Sequence, residues 1–190
     1  MSDDRERVAV ASPSELRRWL ETHHGQTEGV WLVTFKKHAG DRYVSTGQVL
    51  DELLCFGWID GRRMKLDDDR TMQLISPRRV QHWSKTYKDR AAKLIEEGRM
   101  AAPGLAAIER SKADGMWTFL DDVDALVQPP DLVAAFEAHP PAQSNFDAFP
   151  PSTQRFALRW IKLAKSGKAR ANRITKTAEL AAQGKKVPGA

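Results

Sequence analysis

The sequence predicts an α+β fold: a small N-terminal antiparallel or mixed sheet with helices, followed by a helical C-terminal half. Two observations carry the prediction. Runs rich in β-branched and aromatic residues, separated by turn signals, are confined to roughly the first 80 residues, whereas beyond Pro77 the apolar residues recur at helical spacing. Strands and helices are segregated along the chain rather than alternating, and that separates α+β from α/β.

In the N-terminal part, Ser12-Pro13-Ser14-Glu15 forms a capping box with proline at the first helical position. Leu16, Trp19, Leu20 and His23 then follow one helical face. Gly29 to Lys37 is too apolar to alternate and reads as a central strand, with Gly40-Asp41 as the turn after it. Ser45 and Gln48 make a second capping box ahead of Val49, Leu50, Leu53 and Leu54. Gly57 ends that helix in the left-handed conformation and leaves Trp58 just past it. Ile59 to Leu66 and Thr71 to Ile75 flank Asp67-Asp68-Asp69-Arg70 as a β-hairpin.

From there the chain reads as helical. Ser84 caps a helix carrying Tyr87, Ala91, Leu94 and Ile95 that stops at Gly98, and Pro103 opens another with Leu105 and Ile108 that stops near Gly115. Asp121-Asp122-Val123-Asp124 and Gln128-Pro129-Pro130 read as a linker before a short helix with Leu132, Val133 and Phe136, which His139-Pro140-Pro141 interrupts. After Pro150-Pro151-Ser152, Phe156, Trp160, Leu163 and Ala164 are expected on the packed face of a helix, with Arg155, Arg159 and Lys162 on the other. Past Gly167, Lys168 to Gln183 forms a last helix with Ala171, Ile174, Ala178 and Ala181 inward. The expected division is an α+β region at 1–80, a helical extension packed on it at 81–120, a linker with short helices at 121–150 and a basic helical module at 151–190.

A hydrophobic fraction of 41% with 29% charged residues is ordinary for a soluble domain. The chain has no apolar run long enough to span a bilayer, and Met1 to Arg7 is polar and mixed in charge, so membrane insertion and a signal peptide are not expected. The single Cys55 has no intrachain partner, which fits a reducing, cytoplasmic setting. Charge is unevenly placed: residues 151–190 hold ten Lys/Arg against Glu179 alone, a net +9 within a whole-chain +5. A basic end on an acidic body points either to complementarity within the chain or to an anionic partner.

The stretch Leu54-Cys55-Phe56-Gly57-Trp58-Ile59-Asp60-Gly61, answered by Ser76-Pro77-Arg78-Arg79 and Trp83-Ser84, combines core-type residues with charges placed at turns. With Leu94 to Met100, Gly104, Gly115-Met116-Trp117, Arg159-Trp160-Ile161, Ala164-Lys165 and Arg170 to Ile174, it resembles the signature of the YdeI/OmpD-associated, bacteriocin-protection family over most of the chain. The resemblance implies a non-enzymatic protein that serves bacteriocin or stress protection by binding a protein partner or a small ligand. It also implies that the C-terminal Trp-Ile, Ala-Lys and Arg-Xaa-Xaa-Arg-Ile pattern forms a module of its own. Tyr87 departs from the family's pattern, which usually has asparagine there.

Trp58, Asp60, Arg62, Arg63, Arg78, Arg79, Trp83 and Ser84 all fall at element ends or on the hairpin. Of these, Trp58, Asp60, Arg62, Arg78, Trp83 and Ser84 are the candidate ligand or partner site, because oriented charges among rigid aromatics are what a binding cleft needs. The competing structural account makes Trp58 and Trp83 core plugs and has Asp60 pair with an arginine to pin the hairpin to the next helix. Two further readings stay open. Arg159, Lys162, Arg170 and Arg173, with Trp160 as a stacking ring, are a candidate anion or nucleic-acid surface. Asp60, Arg78 and Ser84 are the candidate centre of a small-molecule enzyme.

Cys55 as a nucleophile would require a base such as His82 oriented by Asp60; inside Leu-Leu-Cys-Phe-Gly it reads instead as a small buried hydrophobe. The histidines His23, His24, His38, His82 and His139 lack metal-ligand spacing, and Asp67-Asp68-Asp69 lacks the alternation of a calcium loop. There is no glycine-rich phosphate loop and no Gly-Xaa-Ser-Xaa-Gly elbow, so no metal, cofactor or catalytic residue is expected.

Overall fold

Strands β1 (Arg7–Val10), β2 (Val30–Phe35), β3 (Trp58–Lys65) and β4 (Arg70–Pro77) form a mixed sheet in the order β1-β2-β4-β3, with only the β1–β2 pair parallel. The computed structural model describes residues 4–79 and 81–189; Met1 to Asp3 of the polar N-terminus, Val80 and Ala190 lie outside the described residues. The α+β class holds, and the sheet is of the mixed kind. The chain divides into two compact units, Met1–Thr118 and Phe119–Ala190.

In the first unit, helices α1 (Pro13–His23), α2 (Thr46–Cys55), α3 (Lys85–Glu96) and α4 (Ala102–Ala113) accompany the sheet. Two of the three expected serine caps form, while the Ser84 hydroxyl makes no bond to the start of α3. The Ser12 hydroxyl accepts from the Glu15 amide, and Ser45 and Gln48 close a complete capping box, so orphan amides at two helix starts are satisfied locally. Gly57 takes φ +71° beyond α2, where a side chain would also meet the Pro103 carbonyl. One core gathers Leu16 and Leu20 of α1, Val30 and Leu32 of β2, Leu53 and Leu54 of α2, Ile75 of β4 and Leu94 of α3.

The sequence reading did not anticipate β1. It is four residues long, and only Val10 is fully buried, too little to show a periodicity. Between Phe35 and α2 the chain makes a 3-10 turn at Lys37–Arg42, with Gly40 at φ +61° supplying the reversal.

The second unit is helical: α5 (Asp121–Asp124), α6 (Pro130–Glu137), α7 (Ala142–Asp147), α8 (Pro151–Lys162) and α9 (Gly167–Ala182). Its core joins Leu120, Leu132, Phe136 and Phe146 to Ala157, Leu158, Ile161, Ile174 and Ala178, so residues from 120 to 187 share one interior. Among the described residues no helix is long and apolar enough to cross a membrane.

The packed face of α8 differs from the expectation. Thr153, Gln154, Ala157, Leu158 and Ile161 are buried, whereas Phe156 is 38% exposed, Leu163 is 37% exposed and Ala171 of α9 is exposed. Ala157, Leu158 and Ile161 supply the apolar face that packs, and the Gln154 amide, which donates to the Asp147 and Phe149 carbonyls at 3.2 and 2.9 Å, is thereby satisfied beside them.

Candidate ligand-binding site

The hairpin places the site. Asp60 pairs with Ile75 and Arg63 with Gln73, so Gly61 and Arg62 together oppose Leu74 in a β-bulge directly after Asp60. Gly61 suits that position, since a Cβ there would lie 3.3 Å from the Leu74 carbonyl oxygen. Beyond the last ladder pair, Trp58 with Pro77, the Arg78 amide donates to the Gly57 carbonyl at 2.8 Å and anchors Arg78 at the very end of β4. The Trp83 amide is tied in turn to the Met116 carbonyl at 3.1 Å.

These anchors gather Asp60, Arg78, Trp83 and Tyr87 into one cluster. The Arg78 guanidinium carbon lies 4.0 Å from the centroid of the Trp83 ring and 5.3 Å from that of Tyr87. The Tyr87 hydroxyl donates to Asp60 Oδ1, and Gln73 Nε2 donates to Asp60 Oδ2 at 3.0 Å, so both carboxylate oxygens already accept. Trp83 packs against Trp117 at 5.0 Å between ring centroids, and the amines of Lys88 and Lys112 stand 5.5 and 5.7 Å over Trp117.

Electrostatically the cluster is unusual. Arg78 is only 5% exposed, yet its Nε and Nη1 meet no acceptor; Trp83 Nε1 and the acceptor Gln73 Oε1 are likewise buried without a partner. Burial draws the Arg78 pKa down to about 10, with Tyr87 and Asp60 opposing the fall, so the group stays charged at neutral pH. Burial also pushes the Tyr87 hydroxyl up, and its bond to Asp60 adds to the rise. Unpartnered buried donors on a cation carry a free-energy cost that a matched ligand would remove.

The other candidate residues lie apart from these contacts. Trp58 is a core residue whose indole N–H donates to the His24 carbonyl at 3.2 Å and whose ring meets Trp19 edge-on at 5.4 Å. Arg62 stacks over Trp31 at 5.1 Å, and Trp31 pairs with Leu74, on the opposite sheet face from Gln73 and Ile75. Arg63 donates to the Thr46 hydroxyl at 2.9 Å and Arg79 to the Thr27 carbonyl at 3.1 Å. Ser84 is the N-cap residue of α3, where its carbonyl accepts from Tyr87 and Lys88.

Asp60 does pin the hairpin to α3, but its hydrogen bond comes from Tyr87 and not from an arginine. Tyr87 and Gln73 are the site residues that sequence reasoning missed. Gln73 had a readable signal: it shares strand parity with Ile75 and so carries a polar group to the core face.

Cys55 is buried, and burial with the Glu52 charge pushes its thiol up, against the opposing pull of Arg17 and Arg99. Glu52 is itself buried and holds Arg17 at 3.0 Å and Arg99 at 2.7 Å, so these charges brace α1, α2 and the segment after α3. In the second unit, Arg170 grips Asp131 with two bonds of 2.7 and 2.8 Å, Lys162 pairs with Asp122, and Arg173 donates to the Trp160 carbonyl while lying over its ring. Arg159, the remaining member of that candidate surface, is exposed on α8. Among the described residues no group of three or more His, Cys, Asp and Glu side chains is arranged to hold a metal.

Comparison with curated proteins and with solved structures finds no match in either. Two family models match in succession. Residues 8–107, which contain the whole Asp60–Arg78–Trp83–Tyr87 cluster, match a domain of unknown function, DUF8412. Residues 125–184, with the Arg159-Trp160-Ile161 and Arg170 to Ile174 motifs, match the model described as Bacteriocin-protection, YdeI or OmpD-Associated. The chain therefore belongs to the DUF8412 family by more than half its length, and carries a YdeI/OmpD-associated domain of the bacteriocin-protection type at its C-terminal end.

Proposed function

We propose that the protein serves bacteriocin or stress protection from the cytoplasm by binding a small ligand at Arg78, without catalysing a reaction. The observation that carries the reading is the buried, charged Arg78 whose Nε and Nη1 find no acceptor although Asp60 is near. Folding loses more than it gains from such an arrangement, since the rings and Asp60 offset only part of the lost hydration and an apolar side chain of similar volume would pack there without that loss. A binding role gives it a reason, with Trp83 and Tyr87 holding the guanidinium in place. The YdeI/OmpD-associated match supports the protective role.

Catalysis centred on Asp60, Arg78 and Ser84 has less support, because the Asp60 oxygens are already engaged by Tyr87 and Gln73. A nucleic-acid surface on α8 and α9 also has less, because Lys162 and Arg170 are paired with this chain's own aspartates. The test is a bacteriocin challenge of cells dependent on the protein. Arg78→Met is expected to lose protection while the protein accumulates normally, and full protection by that variant would refute the reading.

A further inference from the structure

Resting on the ligand-site reading above, we infer that the group bound at Arg78 is a neutral carboxamide, presented as a C=O acceptor beside an N–H donor. Charge balance is the first argument. Arg78 and Asp60 lie close enough to couple electrostatically, so the site already sets the negative charge of half-buried Asp60 against the positive charge of buried Arg78. A carboxylate would place a second anion near the half-buried Asp60, and a phosphate would place more; an amide leaves the balance with the buried Arg78 untouched.

The unmet hydrogen bonds make the second argument. The buried groups lacking partners include three donors, Arg78 Nε, Arg78 Nη1 and Trp83 Nε1, and two acceptors, Gln81 Oε1 and the oxygen of Gln73, whose amide nitrogen bonds Asp60. A carboxylate offers acceptors only and leaves the Gln73 oxygen unsatisfied, whereas a carboxamide brings an oxygen with two lone pairs together with an N–H. Recognition is by edges, because the Trp83 ring is already in contact with Arg78 and Trp117. Asp60 is a positioning residue here: by accepting from Tyr87 and Gln73 it fixes the Gln73 amide, whose oxygen is left without a partner.

Acetamide and acetate are near-isosteric and differ in charge and in donors, so they separate the classes. In full-length, isotope-labelled protein, the Trp83 indole N–H resonance is assigned by its absence in Trp83→Phe, or through bonds if that variant does not fold. It is then followed while acetamide, acetate or inorganic phosphate is added at constant ionic strength. Acetamide is expected to shift it saturably, with at least about tenfold weaker response to acetate or phosphate, and Arg78→Met should abolish the response of a remaining cluster resonance such as the Gln73 side-chain amide. A stronger response to acetate or phosphate overturns the amide assignment and leaves Arg78 as an anion site. Should no probe move the resonance, the amide assignment falls, and the protection phenotype of Arg78→Met decides separately whether the ligand-site reading falls with it.

Discussion

The Arg78 guanidinium lies 4.0 Å from the centroid of the Trp83 ring, and both side chains end in buried N–H groups that no acceptor meets. A cation on an indole face recovers about 0.5–2 kcal/mol, less than the cost of withdrawing a guanidinium from water. The pair is therefore costly to the fold and well held, as expected of groups that await a ligand.

Tyr87→Phe should weaken the site without collapsing it. The variant keeps the ring beside Arg78 but removes the donor to Asp60 Oδ1, leaving a half-buried carboxylate short of one hydrogen bond. A loss of about 1–2 kcal/mol is expected in urea unfolding, together with reduced protection. Unchanged stability would show that the hydroxyl bond is of no consequence.

Glu52→Ala should cost more than Arg17→Ala. Glu52 is 4% exposed and its loss takes the shortest ion pair from two arginines at once, leaving Arg17 with Glu21 at 3.6 Å and Arg99 with Glu97 at 3.4 Å, whereas removing Arg17 leaves Glu52 with Arg99 at 2.7 Å. Because the arginines are partly solvated, about 1–3 kcal/mol is expected for Glu52→Ala and less for Arg17→Ala. Denaturant midpoints of both variants would check the order.

Gly104→Ala should be among the most damaging of the glycine substitutions. A Cβ there would sit 2.3 Å from the Cys55 carbonyl oxygen and 2.7 Å from that of Leu54, both backbone atoms, so α2 and α4 would have to separate. A loss of about 1–3 kcal/mol or more is expected. Gly25→Ala, with nothing within 4 Å, is the control and should change little. Cys55→Ser should retain protection while losing about 1–3 kcal/mol, the burial cost of a hydroxyl.

Acid should weaken the second unit through its aspartates. Asp122 and Asp131 are held below the usual carboxylate range: the Lys162 bond overcomes the opposing effect of burial at Asp122, and the Arg170 bond dominates at Asp131. Their folded pKa values are lowered, so the stability they add is present above the unfolded value near 4 and is lost as pH falls through the folded value. Both carboxylates are about half exposed, which keeps the contribution to a few tenths of a kcal/mol each. Asp131→Asn should flatten the acid limb of stability against pH, and an unaltered limb would contradict this.

The parts of the fold with strong local chemistry were legible in the sequence. Ser45 with Gln48 formed the box that their spacing implies, Gly57 took the left-handed turn, and Asp67 to Arg70 closed the hairpin. What escaped depended on contacts distant in sequence. Strand β1 exists because β2 pairs with it; the packed face of α8 is a different case, since Ala157, Leu158 and Ile161 already stand at helical spacing in the sequence. Asp60, Arg78 and Trp83 were readable as chemistry-bearing residues at element ends. Tyr87 was not, because it bonds Asp60 across the fold from a position whose local pattern is that of a helix core; Gln73 carried a signal only in its strand parity with Ile75. The bulge at Gly61 and Arg62, which separates Arg62 from the cluster, had no sequence signal beyond its glycine.

The unfolding free energy of Arg78→Met in the absence of ligand bears most directly on the account. If Arg78 is held at a cost to the fold, the methionine variant should be as stable as the native protein or more stable by about 1–2 kcal/mol, while protection is lost. A loss of several kcal/mol would show instead that Arg78 is a structural pillar of the hairpin end and would contradict the ligand-site account.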